Sequence, residues 1–183
     1  MTFVDDGAHN RHAPAHGQQM PGPRHMDMLI KLYPAQALDC AASRSAPEAS
    51  GIVLRKPIGP EHSAIVRWVA DRFGPGWASE VQVALGNRPV SVWVAVQQTE
   101  LLGFACHDAT ARGFFGPIGV ADAARSKGLG SALLRVCLQD MRAAGYGYAI
   151  AGGVGAPEFF RRVAGAVEIA DSTPGLYANR LSS

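Results

Sequence analysis

Cysteine is scarce in this sequence, and the thiols present are poorly spaced for shared chemistry. Cys40, Cys106 and Cys137 are widely separated, and no C-x-x-C pair occurs. A zinc ribbon, a thioredoxin-like redox motif and a c-type haem attachment therefore lack their ligands, and no metal site is expected. An odd number of dispersed thiols also argues against a disulfide framework. Each reads as a small buried hydrophobe. Charge of one sign is lacking too. Lys and Arg number 17 against 15 Asp and Glu, and a net +2 predicts neither a nucleic-acid nor a membrane partner. No apolar run approaches the ~18 residues of a spanning helix. The first 25 residues carry Asp5, Asp6, His9, His12, His16 and His25 but no apolar signal-peptide core. A cytoplasmic location is the expectation. What the chain does have is apolar material: 48% of 183 residues, enough for the core of one domain.

Residues 1–25 are rich in Gly, Pro, His and Gln without periodicity and read as a disordered leader. Residues 26–50 are expected to be a short strand and linker: an apolar stretch, Met28 to Tyr33, then an Ala- and Ser-rich span that reads as linker or short helix. The folded domain is expected over 51–183. Ile52 to Leu54 suggests a strand ending before Pro57. His62 to Phe73 sets Ile65, Val66, Val69 and Phe73 on one helical face, and Trp77 to Leu85 forms a second short helix. Val90, Val92, Val94 and Val96 then alternate with Ser91, Trp93, Ala95 and Gln97, a strand pattern of period two. Leu101 to Ala109 reads as its antiparallel partner, and Phe114 to Val120 as a third strand. Cys106 and His107 resemble a nucleophile and its base. Adjacent residues on a strand, however, point to opposite faces, which excludes that dyad.

A long amphipathic helix follows Gly128 and Gly130, with Leu129, Leu133, Val136, Cys137 and Met141 on one side. Tyr148 to Gly152 is a strand, Pro157 to Ala164 a short helix, Val167 to Ala170 a strand, and a last strand is expected around Tyr177. This order predicts an α/β fold with a mixed, mostly antiparallel central sheet flanked by helices.

The segment from Gly119 to Leu134 carries the chemistry. A strand ends, a short loop follows, and two glycines open a helix. Glycine lets backbone pass close to a ligand, and the first N–H groups of a helix are unpaired and lie at the positive end of its dipole. Such a helix start can cradle phosphate or simply permit a tight turn; Arg125 and Lys127 add charge beside it. Walker A is excluded because no Gly-Lys dipeptide exists, and the dinucleotide fingerprint fails because Leu133 stands where its third glycine belongs.

The run Arg125-x-x-Gly128-x-Gly130, followed by Leu133 and Leu134, resembles the acyl-CoA loop of the GNAT superfamily of N-acetyltransferases, and the resemblance covers roughly 51–177. It implies a GNAT-like acyl-CoA fold with acetyl-CoA as cosubstrate. Backbone amides from Ser126, Lys127, Gly128, Leu129, Gly130 and Ser131, with Arg125, would hold the pyrophosphate. Ile118, Gly119 and Val120 would pair with the pantetheine arm, and a free N–H there would polarise the thioester carbonyl. An amine, on a small molecule or a peptide, would attack the thioester directly, which makes the cysteines dispensable. A homodimer and a monomer are both left open.

The sequence departs from the family where many members carry N-x-x-A-x-x-x-Y. The corresponding positions are Gly153, Ala156 and Phe160, so the phenol that protonates the leaving thiolate is missing. Tyr177 is the candidate substitute, provided the last strand folds back on the site. Glu80, beside Trp77 and Ala84 on its helix, is the candidate base; His107 and Asp108 are alternatives of which strand alternation lets only one face the cleft. Trp77, Phe104, Phe114 and Phe115 are candidates for an acceptor pocket or for core. Two functions follow: a catalytic N-acetyltransferase, or a non-catalytic acyl-CoA-binding sensor or interaction module, for which Phe160 is the best argument.

Overall fold

A computed structural model describes residues 26–33, 50–125, 128–179 and 181. The expected leader and most of the Ala- and Ser-rich span, including Cys40, lie outside these residues.

Seven strands form one sheet: β1 Met26–Lys31, β2 Ile52–Arg55, β3 Val92–Gln97, β4 Glu100–His107, β5 Phe114–Val120, β6 Tyr148–Val154 and β7 Val167–Glu168. Their order across the sheet is β2-β3-β4-β5-β6-β1-β7. Only β5 and β6 run parallel; every other pair is antiparallel. The helices are α1 His62–Phe73, α2 Pro75–Gly86, α3 Leu129–Ala143 and α4 Pro157–Ala164. The sheet is therefore mixed and mostly antiparallel, with helices on both faces, as the order of elements predicts.

Local sequence explains most boundaries. Gly74 adopts φ 91°, a conformation open to glycine, and its N–H donates to Ala70 O at 3.0 Å, so α1 stops there. Pro75 then opens α2, where a missing N–H costs nothing. The alternation in β4 sorts its residues between two cores. Phe104 and Cys106 pack with Val92 and Val94 beneath α1 and α2, while Ala105 joins the opposite core against α3. Cys106 and His107 consequently face opposite sides, and His107 reaches Asp140 on α3.

Two expectations need adjusting. The sheet draws on chain before Gly51: β1 lies between β6 and β7, with Met28, Ile30 and Leu32 fully buried. Its partners lie more than a hundred residues away, so the local apolar stretch suggests a short strand but not its place in the sheet. The strand expected around Tyr177 is instead a 3-10 turn, Gly175–Tyr177. Gly175 at φ 59° and Asn179 at φ 60° bend this segment away from an extended run.

Backbones approach closely where β4 meets β5. A Cβ on Gly103 would stand 2.8 Å from Gly119 O and 3.0 Å from the Leu133 side chain. Gly103→Ala is expected to lower stability by about 1–3 kcal/mol through overpacking, read from the urea midpoint. Unchanged stability would show that the two strands can separate freely.

Candidate active site

The site begins where strand pairing ends. β5 and β6 are paired only at Phe114–Ile150 and Phe115–Ala151. Beyond these positions the two strands diverge, and a cavity of about 490 Å³ lies between them. One wall is Gly116 to Val120, the other Ala151 to Ala156, and Phe159 and Phe160 of α4 close one side.

Several residues keep the gap open. Ala121 N–H donates to Leu102 O of β4 at 2.8 Å. By alternation, the N–H groups of Val120 and Ile118 turn away from β4, toward the cavity. Gly152 leaves room on the opposite wall: Phe114 occupies the space a Cβ would need, and the Tyr177 hydroxyl stands 3.4 Å from it. Gly153, at φ 58°, donates its N–H to Asp27 Oδ1 at 2.8 Å, and Asp27 is itself buried. Asp27 thus fixes the β6 wall. Sequence reading missed it because nothing local links residue 27 to residue 153.

The loop after β5 leads into α3. Gly128 takes φ 73°, and nothing lies within 4 Å of where its Cβ would be. The first intrahelical donor is Ala132, bonded to Gly128 O at 3.0 Å, so the N–H groups of Leu129, Gly130 and Ser131 have no helical acceptor. Gly130 and Arg125 line the cavity. Arg125 also pairs with Asp122 at 2.9 Å, largely in solvent. Ser126 and Lys127 lie outside the described residues. This end presents unpaired amides, a helix dipole and a guanidinium, which suits the pyrophosphate of coenzyme A. The strand gap, bounded by unpaired β5 amides, suits a pantetheine arm.

The other end is aromatic. Phe73 and Trp77 stack at 5.1 Å with an interplanar angle of 23°, and both line the cavity. Glu80, one turn beyond Trp77 on α2, also lines it and accepts a hydrogen bond from Thr110 Oγ1 at 2.5 Å. Glu80 is thus in the wall as the sequence reading requires. Among the aromatic candidates, Trp77 and Phe115 line the cavity, while Phe104 backs Trp77 from behind and Phe114 sits behind Gly152. Phe160 lines the cavity with a mostly buried ring against Phe115, 6.0 Å away. Tyr177 does not line the cavity; its ring covers Gly153 and its hydroxyl borders Gly152.

His107 and Asp108 belong elsewhere. His107 Nε2 lies 2.9 Å from Asp140 Oδ2, and its Nδ1 lies 3.1 Å from Asp108 Oδ2. Lys56 pairs with the same Asp140 oxygen and donates to Val90 O at 2.6 Å. Asp108 also accepts from Gly113 N–H at 2.7 Å and from the Tyr146 hydroxyl. None of the residues in this network lines the cavity. Cys106 and Cys137 are fully buried, and burial pushes both thiols well up, away from nucleophilic thiolate. Among the described residues no group of His, Cys, Asp and Glu is placed to hold a metal ion.

The comparisons agree with this geometry. The acetyltransferase (GNAT) family model matches residues 62–165, more than half of the sequence. The chain belongs to the GNAT acetyltransferase family. No curated protein matches it by sequence. Among solved structures, it is similar to the glucosamine N-acetyltransferase region of a fungal multi-domain β-N-acetylglucosaminidase (TM-score 0.64, 14% identity, covering 79% of this chain and 19% of that one). It is also similar to a GCN5-related N-acetyltransferase from Sphaerobacter thermophilus (TM-score 0.57, 23% identity, 79% and 48%). A Drosophila protein shares the fold as well (TM-score 0.57, 15% identity, 79% and 47%). The chain thus matches about a fifth of the first protein and about half of each of the other two. At these identities the likeness concerns the fold.

Acid should expose the Asp140 network. Burial opposes the charge on Asp140, but hydrogen bonds from His107 and Lys56 outweigh it and hold the carboxyl at about 2 instead of 3.8. A carboxyl depressed by folding stabilises the native state above its unfolded pKa, and the gain disappears as pH falls through the folded value. Between about pH 5 and pH 2 the protein should lose about 2 kcal/mol that Asp140→Asn does not lose. Urea unfolding of both proteins across that range checks this; parallel pH profiles would contradict it.

Proposed function

We propose that this domain transfers the acetyl group of acetyl-CoA to a primary amine. The observation that carries the reading is one continuous cavity lined by Arg125 and Gly130 and also by Trp77 and Glu80. Pyrophosphate sits against the free amides at the start of α3, with Arg125 beside it. Pantetheine runs along β5 as an added strand. A β5 amide, at Ile118 or Val120, donates to the thioester oxygen and favours the charge that builds there during attack.

The acceptor enters from the side of α1 and α2. Glu80 takes a proton from its ammonium, and the freed amine attacks the carbonyl carbon. A C–N bond forms, the nitrogen gives up its second proton to solvent, the C–S bond breaks, and CoA leaves as thiolate. Phe160 has no proton to give and Tyr177 lies outside the cavity lining, so the thiolate is protonated by solvent. A thiolate with a pKa near ~8.5 is a tolerable leaving group at neutral pH, so the missing phenol slows the reaction without forbidding it. The second reading, a CoA-binding module without turnover, draws its support from that same Phe160.

Acetyl-CoA is expected to raise the melting temperature, since a ligand held only by the folded state stabilises it. Gly130→Val, at a helical position with only ordinary contacts around the missing Cβ, should remove most of that shift while the protein still folds. Glu80→Gln should lower turnover by about 10²-fold or more with the acetyl-CoA shift intact. Phe160→Tyr adds a hydroxyl at the cavity wall, so turnover should rise or hold level and stability should change by less than about 1 kcal/mol. Acetyl-CoA binding without thiol release from any amine would favour the binding module.

A further inference from the structure

The acceptor can be narrowed by the chemistry of the cavity end it would enter, an inference that rests on the acetyl-transfer reading above. Phe73 and Trp77 form its aromatic wall, and other rings brace that wall. Phe104 lies edge-on to both, at 5.9 Å from Phe73 and 6.3 Å from Trp77. Trp68 packs against Phe73 at 5.7 Å and Phe104 at 6.2 Å. Buttressing of this kind fixes the wall before any ligand arrives. Trp77 nonetheless remains 37% exposed. A large ring that is held by its neighbours yet left open to a cavity is suited to stack on another ring.

Charge is sparse there. Among the described residues, Glu80 is the one acidic side chain lining the cavity and Arg125 the one basic one. They flank opposite ends of β5. Glu80 is bonded to Thr110, which precedes β5, whereas Arg125 follows β5, a strand of seven residues and about 20 Å. A substrate carboxylate near Glu80 would meet no cation, and a polycation would find one carboxylate for several charges. The volume of about 490 Å³ is toward the small end for ligand pockets and must also hold pantetheine. Trp77 and Glu80 are three residues apart on α2, neighbours on one helix face with β carbons about 5–6 Å apart. That spacing fits a ring joined to an ammonium by a short alkyl arm.

We infer that the acceptor is a small aromatic monoamine, an arylalkylamine whose ring stacks on Trp77 and whose ammonium pairs with Glu80. Polyamines, amino-acid zwitterions and lysine side chains of basic peptides are disfavoured by the same features.

The test measures CoA thiol release at fixed acetyl-CoA with 2-phenylethylamine, phenylalanine, butylamine, spermidine and a lysine-containing peptide. kcat/KM for 2-phenylethylamine should exceed that of each other amine by at least 10-fold. Phenylalanine isolates the penalty of the carboxylate, and butylamine isolates the gain from the ring. Trp77→Ala should raise KM for 2-phenylethylamine about 10-fold, Trp77→Phe should recover most of the loss, and the acetyl-CoA melting shift should stay unchanged in both. Preference for spermidine or the peptide, or an unaltered KM in Trp77→Ala, overturns the inference. Calorimetric titration of 2-phenylethylamine into the CoA-bound protein separates the two readings. Binding that depends on Trp77 and Glu80 without turnover sustains the inference about the pocket and defeats the transfer reaction. Turnover of other amines with no 2-phenylethylamine binding defeats the inference and sustains the reaction.

Discussion

Strand β5 keeps its parallel neighbour for two residues and then loses it, and the rest of the site depends on that separation. A parallel pair that continued would bury its own amides and leave no room for a ligand. Here the amides of Ile118 and Val120 point into open space because β4 already takes the alternate ones, as the Ala121 to Leu102 bond shows. Unpaired backbone is costly in a sheet interior, so a ligand that restores the missing pairing has a favourable place to bind. On β6 the gap is held open by bare glycines backed by Phe114 and Tyr177 and anchored to Asp27.

The two ends of the cavity use different physics. At the start of α3 the binding groups are backbone amides and a dipole, with a single guanidinium nearby, an arrangement that recognises phosphate with little help from side-chain identity. At the α2 end, recognition rests on rings and one carboxylate, so residue identity matters there. The charged network at the far end of β4 serves neither end directly. Lys56, His107 and Asp140 tie α3 to the edge of the sheet and so hold the helix whose first turn forms the phosphate cradle. Paired carboxylates of this kind hold elements in register without lining the cavity.

Phe160 shows how a departure from a family pattern acts. The ring keeps its place in the wall, packed against Phe115 and Phe159, so the shape of the site survives while the proton donor is gone. Geometry for binding and capacity for acid catalysis are thus separable in this fold.

The glycine-opened start of α3 was legible in the sequence because its determinants are local. Two glycines, a preceding strand and a following amphipathic helix lie within some thirty residues, and each acts on its immediate backbone. The same holds for β3, β4 and β5, whose period-two patterns state which face is buried, and for the opposite faces of Cys106 and His107. Glu80 could be proposed from its position on α2, but only packing brought it to a cavity whose walls come from β5, β6 and α4. Asp27 had no signal at all: its partner Gly153 is 126 residues away, and strand β1 enters the sheet between β6 and β7 through pairing that no local propensity encodes. Tyr177 was expected on a strand and arrived beside Gly152 by a turn instead. Sequence determined the elements and the glycine-opened start of α3 because backbone propensity, capping and periodicity act over a few residues. Tertiary structure decided the cavity and its aromatic wall, because those arise from strand order and side-chain packing between segments far apart in the chain.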